Sequence, residues 1–233
     1  MKAQSTPVRK AKSASADPKK SEATRRQLFD ISMKLFLKQG FEKTTMRDIA
    51  RTAGLAPGAA YYYVESKEHL VFDFYEKSYL DHLPEVETIL KDEKKLGDRL
   101  AGVISAHLKV SEPYHEIGKV LYKVAADPAH TLSPFSEPSR ELREKNIEVM
   151  RRVLEGQKIS ADLSGQLPEI LWMFKMACVL YWVHDRSPER KKTYRLVGEL
   201  SALVAGLLRV AGLPVLRAYT KKFLELYFRY KTF

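Results

Sequence analysis

Apolar residues recur at three- and four-residue intervals along almost the whole chain after residue 21, and that period restricts the fold to packed helices. Leu28, Ile31, Leu35 and Phe36 set the pattern, and Gly40 ends the first helix. No segment shows the two-residue alternation of a half-buried strand. Glycines and prolines from Gly54 to Pro214 cut the remainder into helices expected over 22–39, 46–53, 57–63, 67–82, 96–111, 114–126, 137–155, 166–185, 189–211 and 214–230. The expected fold class is all-α. With 233 residues, 45% of them apolar, the chain can bury a core of its own.

Composition narrows the function by exclusion. The only cysteine, Cys178, allows no intrachain disulfide and no cysteine-based zinc site. No signal-peptide core and no membrane-length apolar run is visible, so a cytoplasmic protein without a membrane span is expected. The chain carries no Gly-rich phosphate loop, no Gly-x-Ser-x-Gly elbow and no His-Glu-x-x-His pair, and its six histidines do not fall at ligand spacing. No catalytic residue, metal or cofactor is expected. The net charge of +11 implies an acidic partner, but it is unevenly spread. Residues 1–20 hold six Lys or Arg against one Asp, with one Val as their bulky apolar group, and read as a disordered basic arm. Such an arm serves either as a tether for phosphates or as a solubilising leader.

The most specific signal is TTMRDIARTAGLAPGAAYYYVESKE, residues 44–68. Thr45 and Asp48 have the spacing of a capping box, and Ile49, Ala53 and Leu55 give a short helix its apolar side. Gly54 permits a left-handed turn, and Pro57 suits the first turn of a second helix. Two short helices joined this way form a helix-turn-helix, which places its second helix in the DNA major groove. Gly58 and Ala59 let that backbone come close to base edges. Tyr61, Tyr62 and Tyr63 are consecutive, and one helix face cannot bury three successive side chains, so a phenol must point outward. Ser66 caps the next helix, and Lys67 adds a cation beside free N–H groups, an arrangement suited to a phosphate.

From about Thr24 to Tyr75 the sequence resembles the DNA-binding domain of the TetR family of bacterial transcriptional regulators. The matching elements are Leu28–Phe36, Gly40-Phe41, Thr44-Thr45, Arg47-Asp48-Ile49-Ala50, Ala53-Gly54-Leu55, Gly58, Tyr61 and Ser66–Leu70. The resemblance implies phosphate contacts from Thr45, Tyr62, Tyr63 and Lys67, and base or groove contacts from Arg47, Pro57, Gly58, Ala59 and Tyr61. Position 56 departs from the pattern: Ala stands where Ser, Thr or Asn usually caps, at an expected cost of about 1 kcal/mol. Ala60, Tyr63 and Val64 also differ from the family's usual residues, so no operator sequence carries over.

The division expected is a basic arm at 1–20, a helix-turn-helix domain at 21–66 and a helical effector-binding and dimerisation domain at 67–233. The helix starting at Lys67 would act as a lever between the two domains. The helix 166–185 is apolar nearly all round, and Gly198, Ala202 and Gly206 recur every four residues on the next. The family pairs two such helices with their mates, which implies a homodimer interface including Leu171, Phe174, Cys178, Tyr181, Gly198, Ala202 and Gly206. A small-molecule cavity among the middle helices is implied in the same way, with His107, Tyr114, Tyr122, Phe135, Trp172, Lys175 and Met176 as candidate lining. The function expected is a homodimeric repressor released from double-stranded operator DNA by a small apolar or amphipathic ligand. A ligand-independent DNA-binding protein and an activator on the same scaffold are the alternatives. The loop 127–138, with three prolines, is either a lid or a plain connector.

Overall fold

The computed structural model describes residues 18–159, 165–211 and 214–230. The expected basic arm, apart from residues 18–20, lies outside them. The described residues form helices α1 (Pro18–Gln39), α2 (Met46–Thr52), α3 (Pro57–Tyr63), α4 (Lys67–Asp92), α5 (Leu96–Ser111), α6 (His115–Ala125), α7 (Arg140–Leu154), α8 (Leu167–His184), α9 (Lys191–Ala211) and α10 (Pro214–Tyr230), with 3-10 turns at Glu112–Tyr114 and Pro188–Arg190. None of them is long and apolar enough to cross a membrane.

Helices α1 to α3 enclose a small core of Leu28, Met46, Ile49, Ala50, Ala60 and Val64, closed by Leu70 from α4. A second cluster joins Met33, Phe36 and Phe41 to Val71 and Phe74 of α4, Ile117 and Leu121 of α6, and Leu132 of the proline-rich loop. The largest core lies between α4, α5, α7, α8 and α9. Leu100, Val103, Ile104 and Leu108 are fully buried there, each contributing roughly 1.5–3 kcal/mol of hydrophobic stabilisation. A Cβ on Gly97 would stand 3.3 Å from the Ala202 Cα, so α5 and α9 are in close backbone contact.

Two boundaries differ from expectation by four residues or more. The first helix begins at Pro18 rather than at residue 22. Helix α4 was expected to end before Pro84, yet it runs on to Asp92 with the proline inside it. An interior proline costs about 3 kcal/mol through its missing N–H and ring clash. Burial of Val86 and packing of Ile89 and Leu90 into the largest core offset that cost. Pro84 and Leu80, one turn apart, are both exposed, so the interruption falls on the solvent side.

Candidate DNA interface and effector cavity

The helix-turn-helix is built from local hydrogen bonds. Asp48 N donates to Thr45 Oγ1 at 3.2 Å, and Thr45 N donates to Asp48 Oδ2 at 3.1 Å, completing a capping box for α2. Thr45 Oγ1 also donates to Asp48 Oδ2 at 2.7 Å, and this bond, followed by the one from Thr45 N and the Arg51 charge, holds the Asp48 carboxyl below its usual range. Gly54 turns the chain at φ +71, and Leu55 N donates to Ala50 O at 2.9 Å. Ala56 makes no side-chain cap bond to α3, and Pro57 occupies the first turn.

On α3 the three tyrosines divide as the helical geometry requires. Tyr61 and Tyr62 are 54% and 70% exposed, whereas Tyr63 is half-buried against the small core. Thr45, Arg47, Pro57, Gly58 and Ala59 are all exposed, so α2 and α3 present them to solvent on one unit. Ala60 is fully buried between them. Lys67 makes contacts that its position in sequence did not reveal. Its Nζ donates to Phe41 O at 2.8 Å and sits 4.1 Å from the centre of the Phe41 ring, tying the start of α4 to the α1–α2 connection.

Between α4, α5, α6, α7 and α8 lies a cavity of about 420 Å³. His107, Tyr114, Tyr122, Phe135, Trp172, Lys175 and Met176 all line it, joined by Phe74, Tyr75 and Asn146. The lining is mostly apolar, and its size falls within the range of about 300–1,000 Å³ for small-molecule sites. The loop between α6 and α7 contributes Pro128, Pro134 and Phe135 to the wall. It is held by Ser139 Oγ donating to Ser133 O at 2.7 Å and by Arg143 Nη1 donating to Pro134 O at 2.8 Å and Ser136 O at 3.0 Å.

A polar group is buried in the cavity wall. Lys175 is 2% exposed, and its Nζ donates to Asn146 Oδ1 at 2.6 Å. Burial lowers its pKa to about 7. The His82 and His107 rings lie 5.2 Å apart. Burial, and after it the Lys175 charge, lowers the His82 pKa to about 4 and that of His107 well below its ordinary value. Sequence reasoning missed Asn146 and His82. The signal for Asn146 was present: it shares one helical face with Val149, Met150 and Val153, all buried.

The expected dimer residues separate into two groups. Leu171 and Cys178 are 1% and 2% exposed, in the protomer's own core against α5 and α7, so they cannot touch a second subunit. The expectation failed there because an all-apolar helix does not reveal which side its own subunit covers. Phe174 is half-buried, whereas Tyr181, Gly198 and Ala202 are exposed and Gly206 is half-buried. Leu180, Leu203, Leu207 and Val210, unselected from sequence, are exposed beside them.

The family model described as "Bacterial regulatory proteins, tetR family" matches residues 28–74, and that described as "Tetracyclin repressor-like, C-terminal domain" matches residues 99–224. The chain belongs to the TetR family. It is a DNA-binding transcriptional regulator built on a helix-turn-helix, in a family without enzymatic activity. It is 26% identical over 186 residues to the HTH-type transcriptional repressor KstR2 of Mycobacterium tuberculosis, covering 78% of this chain and 86% of that protein. It is 23% identical over 146 residues to the fatty acid metabolism regulator protein of Bacillus subtilis, covering 61% of this chain and 70% of that one. The structure of the regulator FadR from Bacillus subtilis in complex with stearoyl-CoA shares the fold, with a TM-score of 0.59, 18% identity, and coverage of 76% of this chain and 96% of that chain.

Proposed function

We propose that this TetR-family regulator is a homodimeric repressor, released from its operator when a small apolar or amphipathic molecule enters the cavity. The observation that carries this reading is the cavity itself. It is roomy and mostly apolar, and Phe74, Tyr75 and Ser78 of α4 form one wall. Helix α4 begins at Lys67, directly after the recognition helix α3. A ligand that favours a shifted α4 favours a changed spacing of the two recognition helices, which weakens binding to two half-sites at once. A ligand-independent DNA-binding protein would have no use for such a space. The relative solved with stearoyl-CoA supports the reading only as a shared fold.

For the dimer, the exposed apolar surface of Leu180, Tyr181, Leu203, Leu207 and Val210 on α8 and α9 supports a helical interface with a second copy. Sedimentation should show a dimer, and Leu207→Glu should shift it to monomer by placing a charge in the contact. A wild-type chain that sediments as a monomer at micromolar concentration would refute the interface.

For DNA, Tyr62→Ala combined with Lys67→Ala should weaken binding to operator and unrelated duplexes alike, by roughly tenfold or more. It should also reduce the slope of log K against log salt by about 2, since one cation is lost from each of two subunits. Ala59→Ser, by contrast, should change the preferred operator sequence. Gel-shift titrations across salt concentrations read both outcomes. Unchanged affinity in the double variant would remove Tyr62 and Lys67 from the interface.

A further inference from the structure

We infer that the effector carries a carboxylate, and that Lys175 receives it in the cavity wall while the apolar walls hold a hydrocarbon body. This rests on the ligand-responsive reading above and narrows it to one chemical class.

The argument begins with charge. The side chains lining the cavity include two cationic residues, Lys175 and Arg143, and no Asp or Glu. Arg143 uses its Nη1 on the carbonyls of Pro134 and Ser136, which holds the guanidinium against the loop. Lys175 is different. Its ammonium has three donors, and Asn146 Oδ1 is the sole acceptor it reaches among the described residues. A buried ammonium without a counter-charge is costly, and proteins normally keep one only when it is paired. Among the described residues no acid supplies the counter-charge, and Lys175 lines the cavity, so the ligand is the natural source of the anion.

A second observation points to the same place. His107 Nδ1 is buried, lines the cavity side of α5 and has no hydrogen-bond partner. A carboxylate has two oxygens and about four acceptor positions, enough to take one bond from Lys175 and another from a neighbouring N–H donor. Beside Lys175 stand its partner Asn146 of α7, together with His82 of α4 and His107 of α5, whose pKa values its charge lowers, while Tyr114, Tyr122 and Arg143 line the same cavity. None is an acid that would compete for the ammonium. The rest of the wall, including Phe74, Phe135, Trp172, Met173 and Val179, suits an alkyl or ring system and gives the head little else to bind.

Protonation follows from this pairing. With the cavity empty, burial holds the Lys175 pKa at about 7. A bound carboxylate raises it, so the complex takes up a proton above that pH. Affinity for the acid is therefore full below pH 7 and falls as pH rises, by up to about tenfold per unit. A neutral ligand shows no such slope.

The test titrates the full chain with decanoate, 1-decanol and methyl decanoate between pH 6.5 and 9, following tryptophan fluorescence, because Trp172 and Trp182 both line the cavity. Decanoate should bind at least about tenfold more tightly than the alcohol or the ester at pH 6.5, and lose that advantage by pH 9. Lys175→Met should abolish both the preference and the pH dependence while leaving alcohol binding within about threefold. Lys175→Gln, checked for folding by circular dichroism, should do the same and guards against a repacked cavity. Equal binding of acid and alcohol by the wild type would overturn the carboxylate inference and leave the ligand-responsive reading standing. So would an acid preference that survives in Lys175→Met. Failure of all three probes to bind would remove both.

Discussion

Lys175→Met should flatten the rise of stability with pH between 7 and 9.5. In the folded chain Lys175 titrates near 7, whereas its ordinary value is 10.5. Within that window the unfolded chain holds the proton and the folded one releases it, so wild-type stability increases with pH. Below pH 7 both states are charged and the whole penalty of burying the ammonium is present. Over the window the wild type should gain about 3 kcal/mol relative to the methionine variant, at about 1.4 kcal/mol per pH unit. The variant leaves Asn146 Oδ1 without its donor, a cost of about 1–3 kcal/mol that does not depend on pH. The slope is therefore the diagnostic quantity. Denaturant unfolding at pH 7, 8 and 9.5 measures it, and parallel curves for the two proteins would show that Lys175 is charged in the fold throughout.

On the acid side the histidines act in the same sense. Burial holds His82 at about 4 against an ordinary 6.5, and lowers His107 further. Each is neutral when folded and must take up a proton in a desolvated site as pH falls. Stability should be lost from pH 6.5 downward through 4, with His82 alone accounting for about 3 kcal/mol.

Phe41→Ala should be the most damaging single change in the small domain, at about 3–5 kcal/mol. Phe41 is 2% exposed and meets three parts of the molecule. Its ring packs on Phe36 of α1 at 5.0 Å and on His130 of the cavity loop at 6.0 Å. The Lys67 ammonium caps it from α4 at 4.1 Å. Truncation opens a cavity in the cluster linking α1, α4, α6 and the loop, and removes the ring beneath Lys67. For a chain of this size the expected fall in Tm is roughly 10 °C, read by thermal circular dichroism. The Phe41 backbone oxygen stays, so the hydrogen bond from Lys67 remains available. A fall of under about 1 kcal/mol would mean that the cluster closes over the missing ring.

Much of this architecture can be read from the chain. The capping box at Thr45 and Asp48, the turn at Gly54 and the start of α3 at Pro57 depend on residues within a few positions of one another, so they are visible locally. Helix ends set by glycine were legible for the same reason: Gly40 adopts φ +84, and its N–H donates to Phe36 O at 2.9 Å. Pro84 misled because its local penalty is offset by burial against α5, which lies across a turn and on another helix. Cys178 and Leu171 misled because α8 is apolar on every side, and hydrophobicity alone does not distinguish the face covered by its own subunit from the face left open. The cavity residues were selected as polar or aromatic groups on apolar helices. What joined them was packing between segments as distant as Phe74 and Val183.

The sequence by itself determined an all-helical chain with a DNA-reading helix-turn-helix, because helical period, capping and turns are short-range properties. Only the tertiary structure decided that Lys175 Nζ lies 2.6 Å from Asn146 Oδ1, 29 positions away, in a wall without an acid among the described residues. It alone turned Lys67 back onto the Phe41 carbonyl and left Leu203 and Leu207 uncovered. Burial, desolvation and pairing depend on which distant segments meet, and these long-range terms give the cavity its electrostatic character.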